Sequence, residues 1–149
     1  EEEIRYDHNL LNVPFSIGKF HITKEMILRF ARASGETNPL YTSKKSSTLV
    51  APPTFCNILI ASIARPDIKL NFGNDGFFAS QTIECLADVK PGDILDGSTK
   101  LKDVFTKTGR SGRMAFIVWE TDFTNQDGAL VTLMRESFVR RNREKVEYI

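Results

Sequence analysis

From Phe77 to Arg141 the chain alternates apolar and polar residues with a period of two, and three turn-forming clusters interrupt the alternation. They are Pro91-Gly92-Asp93, Thr108-Gly109-Arg110-Ser111-Gly112 and Asn125-Gln126-Asp127-Gly128. A period of two puts successive side chains on opposite faces of a strand, and a short glycine-bearing turn brings the next strand back alongside. The pattern predicts four long strands, at 77–89, 94–107, 114–124 and 129–141, joined as an antiparallel meander. On the first of these, Phe77, Ala79, Gln81, Ile83, Cys85, Ala87 and Val89 are expected to share one face.

Helical signals occupy the first half. After a short strand-like piece from Val13 to Phe20, Thr23 stands where a hydroxyl caps a helix, and Glu25 favours its positive end. Ile22 and Ile27 have the spacing of a hydrophobic staple. Ile27, Phe30, Ala31 and Ser34 fall on one face, and Gly35 ends the helix. Pro39 forbids further helix, and 41–48 read as a polar loop. Thr54 to Ala64 is apolar nearly all round, which predicts a buried helix with Pro52 and Pro53 at its start and Arg65-Pro66 at its end. A long antiparallel sheet and one apolar helix pack best when the sheet curls round the helix. The expected fold is therefore α+β, a single hotdog domain over residues 13–141. A flexible segment at 1–12 would precede it and a tail at 142–149 would follow. The open edge strands of such a sheet are expected to pair between two copies, giving a double hotdog.

Composition limits the function classes. A chain of 149 residues with 41% apolar and 26% charged residues suits one globular domain. A net charge of +1 supplies no field for nucleic-acid binding. No apolar run approaches membrane-spanning length and no secretory signal is visible, so a cytoplasmic location is expected. Cys56 and Cys85 do not form a CxxC pair and read as buried thiols rather than a disulfide or metal site. His8 and His21 read as structural or solvent-facing.

Three motifs carry a resemblance. Phe30-Ala31-Arg32-Ala33-Ser34-Gly35-Glu36-Thr37-Asn38-Pro39-Leu40-Tyr41, Val50-Ala51-Pro52-Pro53-Thr54-Phe55 and Val89-Lys90-Pro91-Gly92-Asp93 occur in that order. Together they resemble the MaoC-like dehydratases, in particular the N-terminal MaoC dehydratase domain, over about residues 13–141. The resemblance implies reversible hydration of a trans-2-enoyl thioester to an (R)-3-hydroxyacyl thioester, on CoA or acyl carrier protein, with no cofactor and no metal. Catalytic members use an aspartate, a histidine five residues later and a backbone amide that polarises the thioester carbonyl.

The chain departs from that set at each point. Glu36 stands at the aspartate position and Tyr41 at the histidine position, where a phenol keeps its proton at neutral pH and is a poor base. Pro53 stands near the oxyanion glycine and has no amide hydrogen. Candidate catalytic residues are thus Glu36, Tyr41 and Asn38, with Pro53, Thr54 and Phe55 against the substrate. Arg110 and Arg113 flank a glycine turn and are candidates for CoA phosphates; Arg140, Arg141 and Arg143 cluster near the C-terminus. Two readings follow. One is a hydratase or dehydratase with Glu36 as base and Tyr41 orienting water. The other is a non-catalytic acyl-binding subunit, in a homodimer or in a heterodimer whose second hotdog chain carries the aspartate and histidine. A hotdog thioesterase ranks last, because 54–64 contain no acid.

Overall fold

The computed structural model describes residues 2–144, so the expected C-terminal tail lies outside the described residues from 145 onward. Five strands form one antiparallel sheet: β1 (Phe15–His21), β2 (Asp75–Cys85), β3 (Ile94–Gly109), β4 (Gly112–Thr124) and β5 (Leu130–Arg141). Their spatial order is β1-β3-β4-β5-β2, so β2 lies beside β5 and not beside β3, and the expected four-strand meander holds only from β3 to β5. The three turns read from the sequence connect β2 to β3, β3 to β4 and β4 to β5. At the last, the Gly128 amide donates to the Asn125 carbonyl at 3.0 Å.

The first helix, α1 (Lys24–Ala33), begins as its sequence dictates. Thr23 accepts the Met26 amide hydrogen through its hydroxyl, and Glu25 lies in the first turn. Ile22 and Ile27, the staple pair, are both buried in the main core. Gly35 closes the end with φ +72°, a backbone region that suits glycine.

The central segment is shorter as a helix than its composition predicts. Only α3 (Asn57–Ile60) is α-helical. The chain leading into α3 and its first residues are wound by bonds from residue i to i+3: Phe55 to Pro52, Asn57 to Thr54, Ile58 to Phe55 and Leu59 to Cys56, at 3.0–3.1 Å. The paired prolines give no amide hydrogens to start a regular ladder, and Pro66 disfavours helical backbone at Arg65. What replaces it is a tighter coil of the 3₁₀ kind. Ile58, Ala61 and Ser62 are exposed, so the segment is buried on one side and not all round.

That side still fills the concavity of the sheet. Phe55, Cys56, Leu59 and Ile60 pack with Leu95, Phe123, Val131 and Met134 from the strands, and with Ile22 and Ile27. The Phe30 ring of α1 meets Phe55 edge-on, with centroids 5.7 Å apart. The result is a hotdog domain. Beyond the helix, a second cluster of Ile68, Leu101, Ile117 and Trp119 covers the far half of the sheet. Residues expected to be flexible contribute here. Tyr6, Leu10 and Leu11 pack on this cluster, and the Asn12 amide donates to the Leu101 carbonyl at 2.8 Å.

Strand β2 departs from simple alternation. Its pairing with β5 shifts register between Phe78 and Ser80, so Ala79 breaks the shared face. Gln81 and Ile83 are half-buried, whereas Phe77, Phe78 and Cys85 are exposed. The strand also stops at Cys85, before Ala87 and Val89.

Candidate functional site

Two backbone hydrogen bonds bring the three sequence motifs together. The Val50 amide donates to the Leu40 carbonyl at 3.0 Å, joining the first motif to the second. The Ala51 amide donates to the Val89 carbonyl at 2.8 Å, joining the second to the third. The Pro-Gly-Asp turn is fixed in its own right. Asp93, buried, accepts the Lys90 amide at 2.8 Å and the Gln126 side-chain amide at 2.9 Å, and the Gln126 oxygen accepts the Ile94 amide at 3.0 Å. Gln126 was read only as a turn residue; its spacing from Asp93 carries no pattern that would have marked it.

A cleft of about 110 Å³ opens where the motifs meet. Leu40, Val50, Ala51, Pro52, Phe55 and Val89 give it apolar walls, and Tyr41, Cys85, Asp88 and Thr132 supply polar atoms. Tyr41 reaches it from α2 (Pro39–Thr42), a single turn within the stretch read as loop. Asn38 caps that turn by accepting the Leu40 amide at 3.0 Å, and Pro39 takes the first helical position, where its missing amide hydrogen costs nothing. The role seen for Asn38 is thus to shape the turn that presents Tyr41.

Glu36 lies elsewhere. It lines a separate cleft with Leu28, Arg32, Thr42 and Lys44. The carboxylate and the phenol, five residues apart in sequence, do not share a cavity, and no hydrogen bond joins them.

The amides around the oxyanion position are equally constrained. Pro52 and Pro53 have no hydrogen to give, and the Phe55 amide is spent on the Pro52 carbonyl. Thr54 retains its amide, but it is exposed and stands outside the cleft lining. Pro53 offers its carbonyl instead, which accepts from the Cys85 thiol at 3.3 Å.

The two thiols of this cleft escaped the sequence reading, which took both as buried. Cys56 is buried and donates to the Thr132 hydroxyl at 3.6 Å, while Cys85 is exposed. Burial pushes the Cys56 thiol up to about 11, against the pull of the Thr132 hydrogen bond, and nearby Cys85 adds to the rise. Burial also raises Cys85. Both therefore remain protonated at neutral pH and act as weak hydrogen-bonding groups.

The arginines proposed for CoA phosphates lie at the other end of the sheet. Arg110 is exposed at the β3–β4 turn. Arg113 is engaged within the fold, donating to the Glu2 carbonyl and lying 5.7 Å over the Phe72 ring. Phe123, which pairs with Thr132 at the cleft, is ten residues from Arg113 along β4, about 30 Å at the usual strand rise.

A family profile described as "FAS1-like, dehydratase domain region" matches residues 10–134. The chain belongs to this dehydratase-domain family. The match spans all three motifs and the strands that carry them. Solved structures share the hotdog fold of this FAS1-like dehydratase domain. One is the C-terminally truncated HadBC (3R-hydroxyacyl-ACP dehydratase) complex of Mycobacterium tuberculosis, at 20% identity and TM-score 0.68, covering 89% of this chain and 98% of that one. Another is the R-hydratase PhaJ1 of Pseudomonas aeruginosa, unliganded, at 18% identity and TM-score 0.62, with coverage of 93% and 89%. A third is the ChsH1–ChsH2 complex of M. tuberculosis, at 16% identity and TM-score 0.68, with coverage of 91% and 86%. No curated protein matches this dehydratase-domain chain by sequence.

Proposed function

We propose that this chain is an acyl-thioester-binding subunit of a hotdog hydratase or dehydratase, and that a second hotdog chain supplies the acid–base pair. The observation that carries the reading is the separation of Glu36 from Tyr41 into two clefts. Hydration of an enoyl thioester needs a base and a proton donor on one water, with an amide donor on the carbonyl. The Tyr41 cleft offers a phenol, two protonated thiols and a hydroxyl among apolar walls, with the exposed Asp88 carboxylate also in its lining. The phenol, thiols and hydroxyl orient and bind a thioester without taking up a proton, and Asp88 is a lone carboxylate with no histidine beside it in the cleft.

A pairing surface is available. Strand β2 lies at the end of the strand order, with no neighbour beyond it among the described residues. It runs for 11 residues, and Phe77 and Phe78 on it and Leu86 just after it are exposed. Long bare edges of this kind are normally covered. Support for a two-chain assembly also comes from the HadBC and ChsH1–ChsH2 structures, both complexes of this fold.

The test is reconstitution. The chain is mixed with a hotdog dehydratase subunit that carries the aspartate and histidine, and hydration of crotonyl-CoA is followed. A stable complex in which Tyr41→Ala weakens acyl-CoA binding supports the proposal. Failure of the chain to bind any acyl thioester, alone or in complex, refutes it.

A further inference from the structure

A second, unassigned cavity of about 350 Å³ lies on the concave face near the opposite end of β5. Thr132 of the first cleft and Phe138 of this one are six residues apart on that strand, about 20 Å. Trp119 pairs with Glu136 across β4 and β5, and Ile117 pairs with Phe138. Arg65, which follows the central segment, lies over this four-residue patch. Its guanidinium is 5.6 Å from the centroid of each of the Trp119 and Phe138 rings. One of its terminal nitrogens, Nη2, donates to Glu136 Oε1 at 2.5 Å.

The arrangement is incomplete as it stands. Arg65 Nε is buried and has no hydrogen-bond partner among the described residues. A guanidinium nitrogen in that condition is costly, and its natural complement is a carboxylate or similar anion. Arg140 also lines the cavity and forms no ion pair among the described residues. Two cations and one carboxylate leave a net single positive charge. The remaining walls are aromatic and apolar, with Phe77 and Phe78 forming an exposed rim.

We infer that the Arg65–Trp119 cavity is a ligand site for a monoanionic carboxylate bearing an apolar tail or ring. The carboxylate would accept from Arg65 Nε and face Arg140, and the tail would lie against Phe77, Phe78 and Phe138. The Arg65–Glu136 pair keeps the guanidinium in place on its two rings, so the site is preformed. None of its residues lines the Tyr41 cleft, and because Phe77 and Phe78 also belong to the β2 edge offered for pairing, the inference concerns the chain before it pairs.

Trp119 is the sole tryptophan of the chain and reports on the cavity directly. The full-length protein is titrated with octanoate, and separately with octanol, benzoate and inorganic phosphate, while tryptophan emission is recorded. Octanoate and benzoate are expected to give a saturable change, with octanol at least about tenfold weaker for want of the charge-assisted bond. Arg65→Met combined with Glu136→Met removes both charges without leaving either one buried alone, so the fold is retained. This double variant should lose the preference for octanoate over octanol, and Arg140→Gln should weaken octanoate binding alone. An equal response to octanol would reduce the cavity to an apolar patch, and an equal response to phosphate to a plain anion site. Either result, or no saturable response to octanoate, overturns the inference.

Discussion

Glu36 precedes the Asn38-capped turn, Tyr41 lies within it five residues later, and each lines a different cleft. Arg32 and Lys44 line the cleft of the carboxylate, whereas Cys85 and Thr132 line that of the phenol. Substitutions at the two positions should therefore separate. Tyr41→Ala is expected to weaken acyl-CoA binding by roughly tenfold, the scale of one lost hydrogen bond plus lost packing. Glu36→Gln should leave binding within about twofold, because the half-buried Glu36 lies outside the Tyr41 cleft. Calorimetric titration of each variant checks both. Equal losses would place the two residues in one site.

Asp93 holds the Pro-Gly-Asp turn by accepting the Lys90 amide and the Gln126 side chain. Asp93→Ala leaves a half-buried amide and a glutamine without partners, at a cost of about 1–3 kcal/mol. Denaturant unfolding measures the loss. Because Val89 of the same turn lines the cleft and bonds Ala51, ligand affinity should fall as well.

Much of this was readable in the residues. The Thr23 cap, the Ile22–Ile27 staple, Gly35 and the turns at 91–93 and 125–128 are local devices, and local chemistry specifies them. The central segment misled because apolar composition does not separate a regular helix from a 3₁₀-wound coil. The decisive information was two adjacent prolines at its start and another at its end. Cys85 was taken as buried from an alternation that the bulge at Ala79 interrupts, and a one-residue slip exchanges the faces of a strand. Spacing also placed Glu36 and Tyr41 together, but the intervening Asn38-Pro39 turn points them into separate clefts. The Arg65 cavity had no sequence signal, since its residues come from four distant parts of the chain.

Gly97, which pairs with Gly18 where β1 crosses β3, has no room for a side chain. A Cβ there would lie 2.6 Å from Ile17 Cγ1 and 2.9 Å from Phe123 Cε1. Gly97→Ala is expected to destabilise the fold by about 1–3 kcal/mol through overpacking. Thermal or denaturant unfolding reads the effect, and an unchanged midpoint would mean that Ile17 moves aside freely.

The two thiols predict a pH response. Burial raises Cys56 from 9.0 to about 11 in the folded chain, so between those values an unfolded thiol ionises while the folded one keeps its proton. The folded state then binds more protons, and its stability falls as pH rises through this window. Cys56→Ala should lose less stability than the parent between about pH 8 and about pH 10.5, as followed by denaturant midpoints. With the parent protein held folded, alkylation followed by mass spectrometry should modify the exposed Cys85 well before Cys56. Simultaneous labelling would contradict the burial of Cys56.

The central claim is that this chain binds an acyl thioester without performing the hydration itself. It is tested most directly by measuring hydration of crotonyl-CoA by the purified chain alone, alongside its affinity for the same ligand. The account predicts saturable binding that Tyr41→Ala weakens, no turnover above the uncatalysed rate, and turnover once a subunit with the aspartate–histidine pair is added. Robust turnover by the isolated chain, abolished by Glu36→Gln, would contradict it and return Glu36 to the role of base.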